Sequence, residues 1–176
     1  SILPVLTRAT PFDAFIGKLD RSTKQRLTFS ELRAGAVVGT GSLRRRGCLL
    51  NARPDFRVVE HRGNVPSRID RLDQSSELSG IILACAGLER LQLEGVTYEA
   101  IAPSILLPSM NQGILAVQFR DGDEFLRQRI TAITPAETLA VFSAERACAH
   151  TLGGDCHSAI SIFAQVSSGV LSLESW

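Results

Sequence analysis

Apolar and polar positions in this chain follow two periods, and the switch between them sets out the elements. Ile2 to Thr7 reads as a short strand. Pro11 to Gly17 reads as a turn entering a short helix, and Lys18 to Gly35 as a polar surface loop with some helix. Ala36-Val37-Val38 predicts a brief strand. Ser42 to Arg53 predicts a helix with Leu43, Gly47, Leu50 and Ala52 on its apolar side, stopped by Pro54-Asp55. Phe56 to Glu60 alternates as a strand, and Ser67 to Leu72 reads as helix. The continuous run Gly80-Ile81-Ile82-Leu83-Ala84-Cys85 has strand length and suits a strand buried on both faces. Ala86 to Arg90 turns it into another helix. Strand, turn and helix thus recur three times, which predicts an α/β sheet with crossover helices.

The pattern changes after Ala100. Pro103 and Pro108 flank a short extended segment, Gln112 to Arg120 reads as a strand, and Asp123 to Ile133 as a helix. Pro135 opens a long helix to His150, with Thr134 as N-cap and Glu137 as its capping-box partner. Ala159 to Val166 and Val170 to Leu173 read as antiparallel strands joined by Ser167-Ser168-Gly169. This tail has the look of a different domain.

Composition narrows the classes. Hydrophobic residues make up 44% of the 176 and charged residues 21%, as in a water-soluble globular protein. A net charge of +1 gives no global pull toward nucleic acid or a membrane surface. No apolar run reaches the roughly 18–20 residues of a membrane span, and no signal peptide is visible. Both ends read as interruptions of a longer chain. The four cysteines form no C-x-x-C pair, so a reducing compartment is the simpler expectation. The cations are 17 arginines against Lys18 and Lys24, and eight of the 17 fall between Arg44 and Arg71.

Five of those eight sit on two turns. The first is Gly39-Thr40-Gly41-Ser42-Leu43-Arg44-Arg45-Arg46, and the second is His61-Arg62-Gly63-Asn64-Val65-Pro66-Ser67-Arg68. Helix starts favour acids, because the macrodipole is positive there. Arginines at two such starts predict an anion supplied from elsewhere. The first turn misses the third glycine of a dinucleotide fingerprint, where Arg44 stands, and it also misses the P-loop spacing. What it offers is free backbone N–H groups, the hydroxyls of Thr40 and Ser42, and the forked cations of Arg44 and Arg45, a set suited to carboxylates or phosphates. The second turn adds Arg62 and Arg68 at the end of a neighbouring strand, where open α/β sheets bind ligands. Arg90 is placed to join them, or to pair with Glu94 on its own helix. The competing reading is a solvated basic helix face.

Among the cysteines, Cys85 reads as core, and Cys48 and Cys148 as packing residues in helices. Cys156 follows Gly153-Gly154 on a loop beside Asp155 and His157. A metal set of Cys148, His150, Cys156 and His157 matches no common zinc spacing. A cysteine hydrolase with His157 as base, a thiol carrying a covalent group, and an ordinary loop cysteine remain open.

Five motifs in register then bear a resemblance. They are Gly39-Thr40-x-Ser42-Leu43-Arg44-Arg45, Arg62-Gly63-Asn64-x-x-x-Arg68, Ile81-Ile82-Leu83-Ala84-x-Ala86-Gly87-Leu88-x-Arg90, Gln112-Gly113 with Ala144-Glu145-Arg146-Ala147, and the glycine turn before Cys156. From about Phe12 to Phe163 the chain resembles the hydroxymethylbilane synthases, also called porphobilinogen deaminases. The resemblance implies a transferase of tetrapyrrole (heme) biosynthesis that joins four porphobilinogen units head to tail with release of ammonia. It implies a dipyrromethane cofactor held by a thioether to Cys156, the covalent attachment residue. Thr40, Ser42, Arg44, Arg45, Arg62, Gly63, Asn64, Arg68 and Arg90 match positions that line the cofactor and substrate cleft, and no metal is implied. The acetate and propionate arms of the substrate account for the arginines.

The implied fold is a periplasmic-binding-protein-like (type II) domain with a mostly parallel sheet, plus the start of an α+β C-terminal domain. Residues 1–10 would be the end of domain 1 and a hinge, 11–105 domain 2, 106–133 a return segment to domain 1, and 134–176 the start of domain 3. The catalytic aspartate region of the family would lie outside this chain, which predicts no turnover by the chain alone. A monomeric, cytoplasmic protein is expected when full length, or a plastid one in a photosynthetic eukaryote, with porphobilinogen as substrate and neither nucleic acid nor membrane as partner. Departures from the family pattern are Gly41 for the usual serine, Met110-Asn111 before Gln112-Gly113, Asp155 beside the cysteine, and Ser158-Ala159 for a Val-Pro type pair. The alternative is a non-catalytic anion-binding module of periplasmic-binding-protein type.

Overall fold

A computed structural model describes residues 1–153 and 158–176. Strand β1 (Ile2–Pro4) pairs antiparallel with β7 (Ala116–Gln118), apart from the central sheet. That sheet contains β2 (Asp13–Gly17), β3 (Val37–Gly39), β4 (Arg57–Val59), β5 (Gly80–Ala84) and β6 (Glu99–Ala100) in the order β4-β3-β5-β2-β6. β3 runs parallel to β4 and β5, whereas β2 is antiparallel to both β5 and β6. Four strands therefore point one way and β2 alone opposes them. The sheet is mixed and mostly parallel, within an α/β arrangement.

The helices follow the parallel strands. α1 (Leu43–Ala52) follows β3, α2 (Val65–Gln74) follows β4, and α3 (Cys85–Leu91) follows β5. One core joins Phe15, Val38, Leu49, Phe56, Val58, Ile82 and Leu106. A second joins Ala14, Ile16, Ile69, Leu72, Ile81, Leu83 and Leu88. Ala14 and Ile16 belong to one cluster and Phe15 to the other, as the two faces of a strand require.

That finding corrects the expectation of a turn and short helix over Pro11–Gly17. The segment is a fully buried strand in the middle of the sheet. Burial on both sides overrides the poor strand preference of Asp13 and Gly17. Gly17 is needed, because a Cβ there would lie 1.9 Å from Leu27 O. The apolar side predicted for α1 also changes. Leu43 is exposed and Gly47 and Ala52 face solvent, while Arg44 and Leu49 are the buried positions.

α4 (Glu124–Ile133) is capped by Asp123, whose side chain accepts from Leu126 N. α5 (Ala136–Leu152) begins at Pro135 with no side-chain cap. The predicted capping box is absent because Thr134 closes the preceding helix instead. Its hydroxyl, 2.9 Å from Pro4 O and 2.8 Å from Ile130 O, donates to these carbonyls. β8 (Ile162–Ser167) and β9 (Val170–Ser175) form the expected hairpin. Ser168 and Gly169 both have positive φ, 52° and 77°, the requirement of a two-residue turn that matches strand twist. The stretch after the β6 strand returns along the chain start: Val5 N donates to Leu115 O and Ala9 N to Gly113 O. Gly113 lies so close to this stretch that a Cβ would come within 2.5 Å of Ala9 O. Among the described residues no helix is long and apolar enough to cross a membrane.

Candidate functional site

The two arginine turns stand side by side at the ends of β3 and β4. Thr40 N donates to Val59 O and His61 N to Thr40 O, which locks the two strand ends together. In the first turn Ser42 N donates to Thr40 Oγ1 (3.3 Å), and Ser42 Oγ caps α1 by accepting from Arg45 N (3.4 Å). Both hydroxyl oxygens thus shape the turn, and each keeps its own proton to donate.

Arg44 and Arg45 do not reach outward. Their guanidiniums converge on Asp13, which is fully buried at the start of β2. Arg44 Nη2 donates to Oδ2 at 2.8 Å, and Arg45 donates to Oδ1 through Nε (3.0 Å) and Nη2 (2.7 Å). Gln112 Nε2 donates to the same Oδ1 (2.9 Å) and to Pro11 O (2.6 Å). Arg44 Nη1 donates to Leu107 O at 2.5 Å, and Arg45 Nη1 to Ile82 O at 3.3 Å. The two arginine side chains are 4% and 11% exposed. The anion expected from elsewhere is, for most of these donors, the protein's own carboxylate. Two guanidiniums against one carboxylate satisfy the buried acid and leave the group with a net single positive charge.

The second turn is built differently. Asn64 caps α2, its Oδ1 accepting from Ser67 N at 2.9 Å, and Pro66 occupies the first turn. Gly63 has φ +126°, and a Cβ there would meet Arg71 Nη2 at 2.7 Å. Arg71 folds back over the turn, donating to Arg62 O and, through Nε, to Ser67 O (3.1 Å). Arg62 pairs with Glu60 at the surface. Gly41 makes room for the Arg62 stem, since a Cβ at Gly41 would lie 2.9 Å from Arg62 Cγ. Arg68 is half-buried, and its Nε donates to Gly63 O at 2.7 Å. Burial, then Arg45, Arg71 and Arg62 in turn, hold its guanidinium below the ordinary value. Among the described residues it has no carboxylate partner. Arg46 and Arg62 also line a hollow of about 150 Å³ with Thr40, Gly41, Ser42 and Glu60.

The structure therefore brings Arg45, Arg62 and Arg71 close to Arg68 in one positive corner, with Thr40 and Ser42 beside Arg62 in the adjoining hollow. Arg90 stands apart. It is exposed in the last turn of α3 and reaches Gly113 O at 3.4 Å rather than Glu94. Cys156 and His157 lie outside the described residues. Cys85 is core, its thiol pushed up to about 11, chiefly by burial. Cys48 and Cys148 are half-buried, and Cys48 Sγ lies 3.7 Å from Ser161 Oγ. Among the described residues no group of His, Cys, Asp or Glu is placed to hold a metal ion.

Sequence reasoning missed two buried acids. Asp13 is one, and a lone acid inside the apolar run Phe12–Ile16 was the signal. Glu145 is the other, fully buried on α5. It accepts from Arg8 Nη1 (2.7 Å), from Ala164 N (2.7 Å) and from Asn111 N. Asn111 adopts φ 57°, a conformation that asparagine tolerates better than most residues.

Known proteins give an independent comparison. Residues 1–128 match the family model described as porphobilinogen deaminase, dipyromethane cofactor binding domain. The chain is 33% identical to the porphobilinogen deaminase of Natranaerobius thermophilus over 98% of its own length and 53% of that protein. It is 39% identical to that of Trichlorobacter lovleyi over 94% of the chain and 51% of the relative. For Syntrophotalea carbinolica the figures are 35%, 98% and 53%. The chain spans about half the length of the curated relatives it matches.

Proposed function

Because the chain belongs to the porphobilinogen deaminase family, we propose that it forms the cofactor-carrying, carboxylate-binding part of a hydroxymethylbilane synthase. The reaction is the joining of four porphobilinogen units into a linear hydroxymethylbilane with release of ammonia. One observation carries this reading: Arg68, half-buried beside Arg45, Arg62 and Arg71, has no carboxylate of its own among the described residues. A cation so placed fits an acid-bearing ligand.

The donor set fits a dipyrromethane with acetate and propionate arms. Arg68, Arg62 and the residual charge of the Arg44–Arg45–Asp13 group would hold carboxylates, Thr40 and Ser42 would donate hydroxyl protons, and Gly63 and Asn64 would line the pocket wall. Arg90 would act from the far side of the cleft, and Cys156 would be the attachment point. When bound, the dipyrromethane supplies the pyrrole carbon to which the first substrate unit is joined. The protein's own share is positioning. Asp13 stiffens two guanidiniums, and aligned carboxylates keep the reacting carbons in register. The corner's field also draws the anionic substrate in.

We assign the type II periplasmic-binding-protein arrangement to residues 11–105. Residues 1–10 and 106–133 are assigned to a neighbouring domain and its hinge, and 134–176 to the start of a third. The β1–β7 pairing outside the central sheet supports this division. A monomeric cytoplasmic enzyme is the setting we assign, in keeping with bacterial relatives. Nothing in the relatives' names favours a non-catalytic module.

Mass spectrometry of the purified protein tests the reading. A dipyrromethane increment on the Cys156 peptide, with colour in Ehrlich's reagent, is expected, and an unmodified peptide refutes it. The 176-residue chain alone is expected to release no ammonia from porphobilinogen, since it spans only about half the length of the relatives it matches. Robust ammonia release would contradict that.

A further inference from the structure

The second arginine turn rests on a histidine. His61, 6% exposed, directly follows Glu60 at the end of β4. Its side chain lies against β3, where a Cβ at Gly39 would come within 2.9 Å of His61 Cβ. Nε2 lies 3.0 Å from the carbonyl oxygen of Arg68. A carbonyl only accepts, so Nε2 carries the proton and the neutral ring leaves Nδ1 bare. This bond ties the first turn of α2 to the end of β4.

The charges around the ring come from several directions. Arg68 and Arg71 face it from α2. Glu60 and Arg62 flank it on its own strand and pair with each other. Arg45 approaches Arg68 from α1. β3 contributes Gly39 and Thr40, neither of which titrates.

We propose that His61 is a positioning residue for this corner, tying Arg68 in place while neutral and coupling the capture of an anion there to the uptake of one proton. A second proton on the ring places a cation beside the guanidiniums of Arg68 and Arg71, neither of which has a carboxylate partner among the described residues. Burial, with Arg71 and Arg68 behind it, already holds the imidazole below its usual range. An anion bound at the corner reverses the local field and favours the charged ring. Linkage is reciprocal, so the proton must strengthen anion binding by the factor by which the anion strengthens protonation. The inference rests on reading this corner as a carboxylate site.

Sulfate is the probe, because it stays fully ionised across the range in which histidine titrates. Calorimetric titration of the 176-residue chain is expected to show affinity about three- to tenfold higher near pH 5.5 than near pH 8. The NMR midpoint of the His61 ring proton, distinguished from His150 and His157 by its loss in His61→Gln, is expected to move up with saturating sulfate. His61→Gln keeps an N–H for the Arg68 carbonyl and cannot titrate. It is expected to bind as the unaltered chain does near pH 8, at both pH values, whereas His61→Leu binds more weakly at both. The glutamine variant also separates His61 from protonation of Glu60, which would free Arg62. A pH dependence that survives in His61→Gln, or a wild-type midpoint that bound sulfate does not move, overturns this inference and leaves the corner's function standing. No sulfate binding at either pH overturns both.

Discussion

The two arginine turns look alike in sequence and differ in what the fold does with them. At the β3–α1 turn Arg44 is buried and Arg45 nearly so, and both are spent on Asp13, Leu107 O and Ile82 O. At the β4–α2 turn Arg62 and Arg71 are exposed, and Arg68 spends one donor on a carbonyl and, among the described residues, none on a carboxylate. The first turn spends its cations on the protein's own acid, whereas the second leaves Arg68 and Arg71 without a carboxylate among the described residues. Arginine density therefore does not measure anion-binding capacity. The donors left over after the protein's own acids are satisfied do.

Three changes break or sharpen this contrast. The largest effect is expected from Asp13→Ala, which strands two buried guanidiniums. Breaking a buried ion pair by removing one partner costs about 3–5 kcal/mol, so urea unfolding of the variant should show a loss of that order. A loss under about 1 kcal/mol would mean that the first turn is not held by its acid. Next, Arg68→Ala is expected to leave unfolding unchanged within about 1 kcal/mol. It should weaken sulfate or porphobilinogen binding by about 1.5–3 kcal/mol, the worth of a charged hydrogen bond. Comparable losses of stability and binding would erase the distinction between the turns.

The smallest effect concerns pH. His61 is depressed in the folded state, chiefly by burial, from its ordinary 6.5. The folded chain thus binds fewer protons there than the unfolded chain. The His61 contribution to stability is complete above about pH 6.5 and falls as pH drops from there through the folded value. Urea unfolding at a series of pH values should show this slope, and His61→Gln should flatten it.

Much of the fold was legible because its signals are local. The strand runs at Val37–Val38 and Gly80–Ala84, the helix from Ser42, and the Ser168-Gly169 turn each lie within a few residues of what determines them. β2 was illegible for the opposite reason. Pro11 and Asp13 argue locally against a strand, and only burial between β5 and β6 makes it one. The arginine turns were found by composition and spacing. Their partners were not, since Asp13 lies 31 residues before Arg44 and 99 before Gln112. Glu145 was visible inside a motif, but its links to Arg8 and Ala164 depend on the tertiary path.

Gln112 holds Pro11 and Asp13 with one amide nitrogen, and four residues later the chain enters β7, which is zipped to the start of the polypeptide. The acid that seats Arg44 and Arg45 is thus tied to the β1–β7 ladder twice, through the Gln112 amide and through the backbone bonds of Val5 and Ala9 to Leu115 and Gly113.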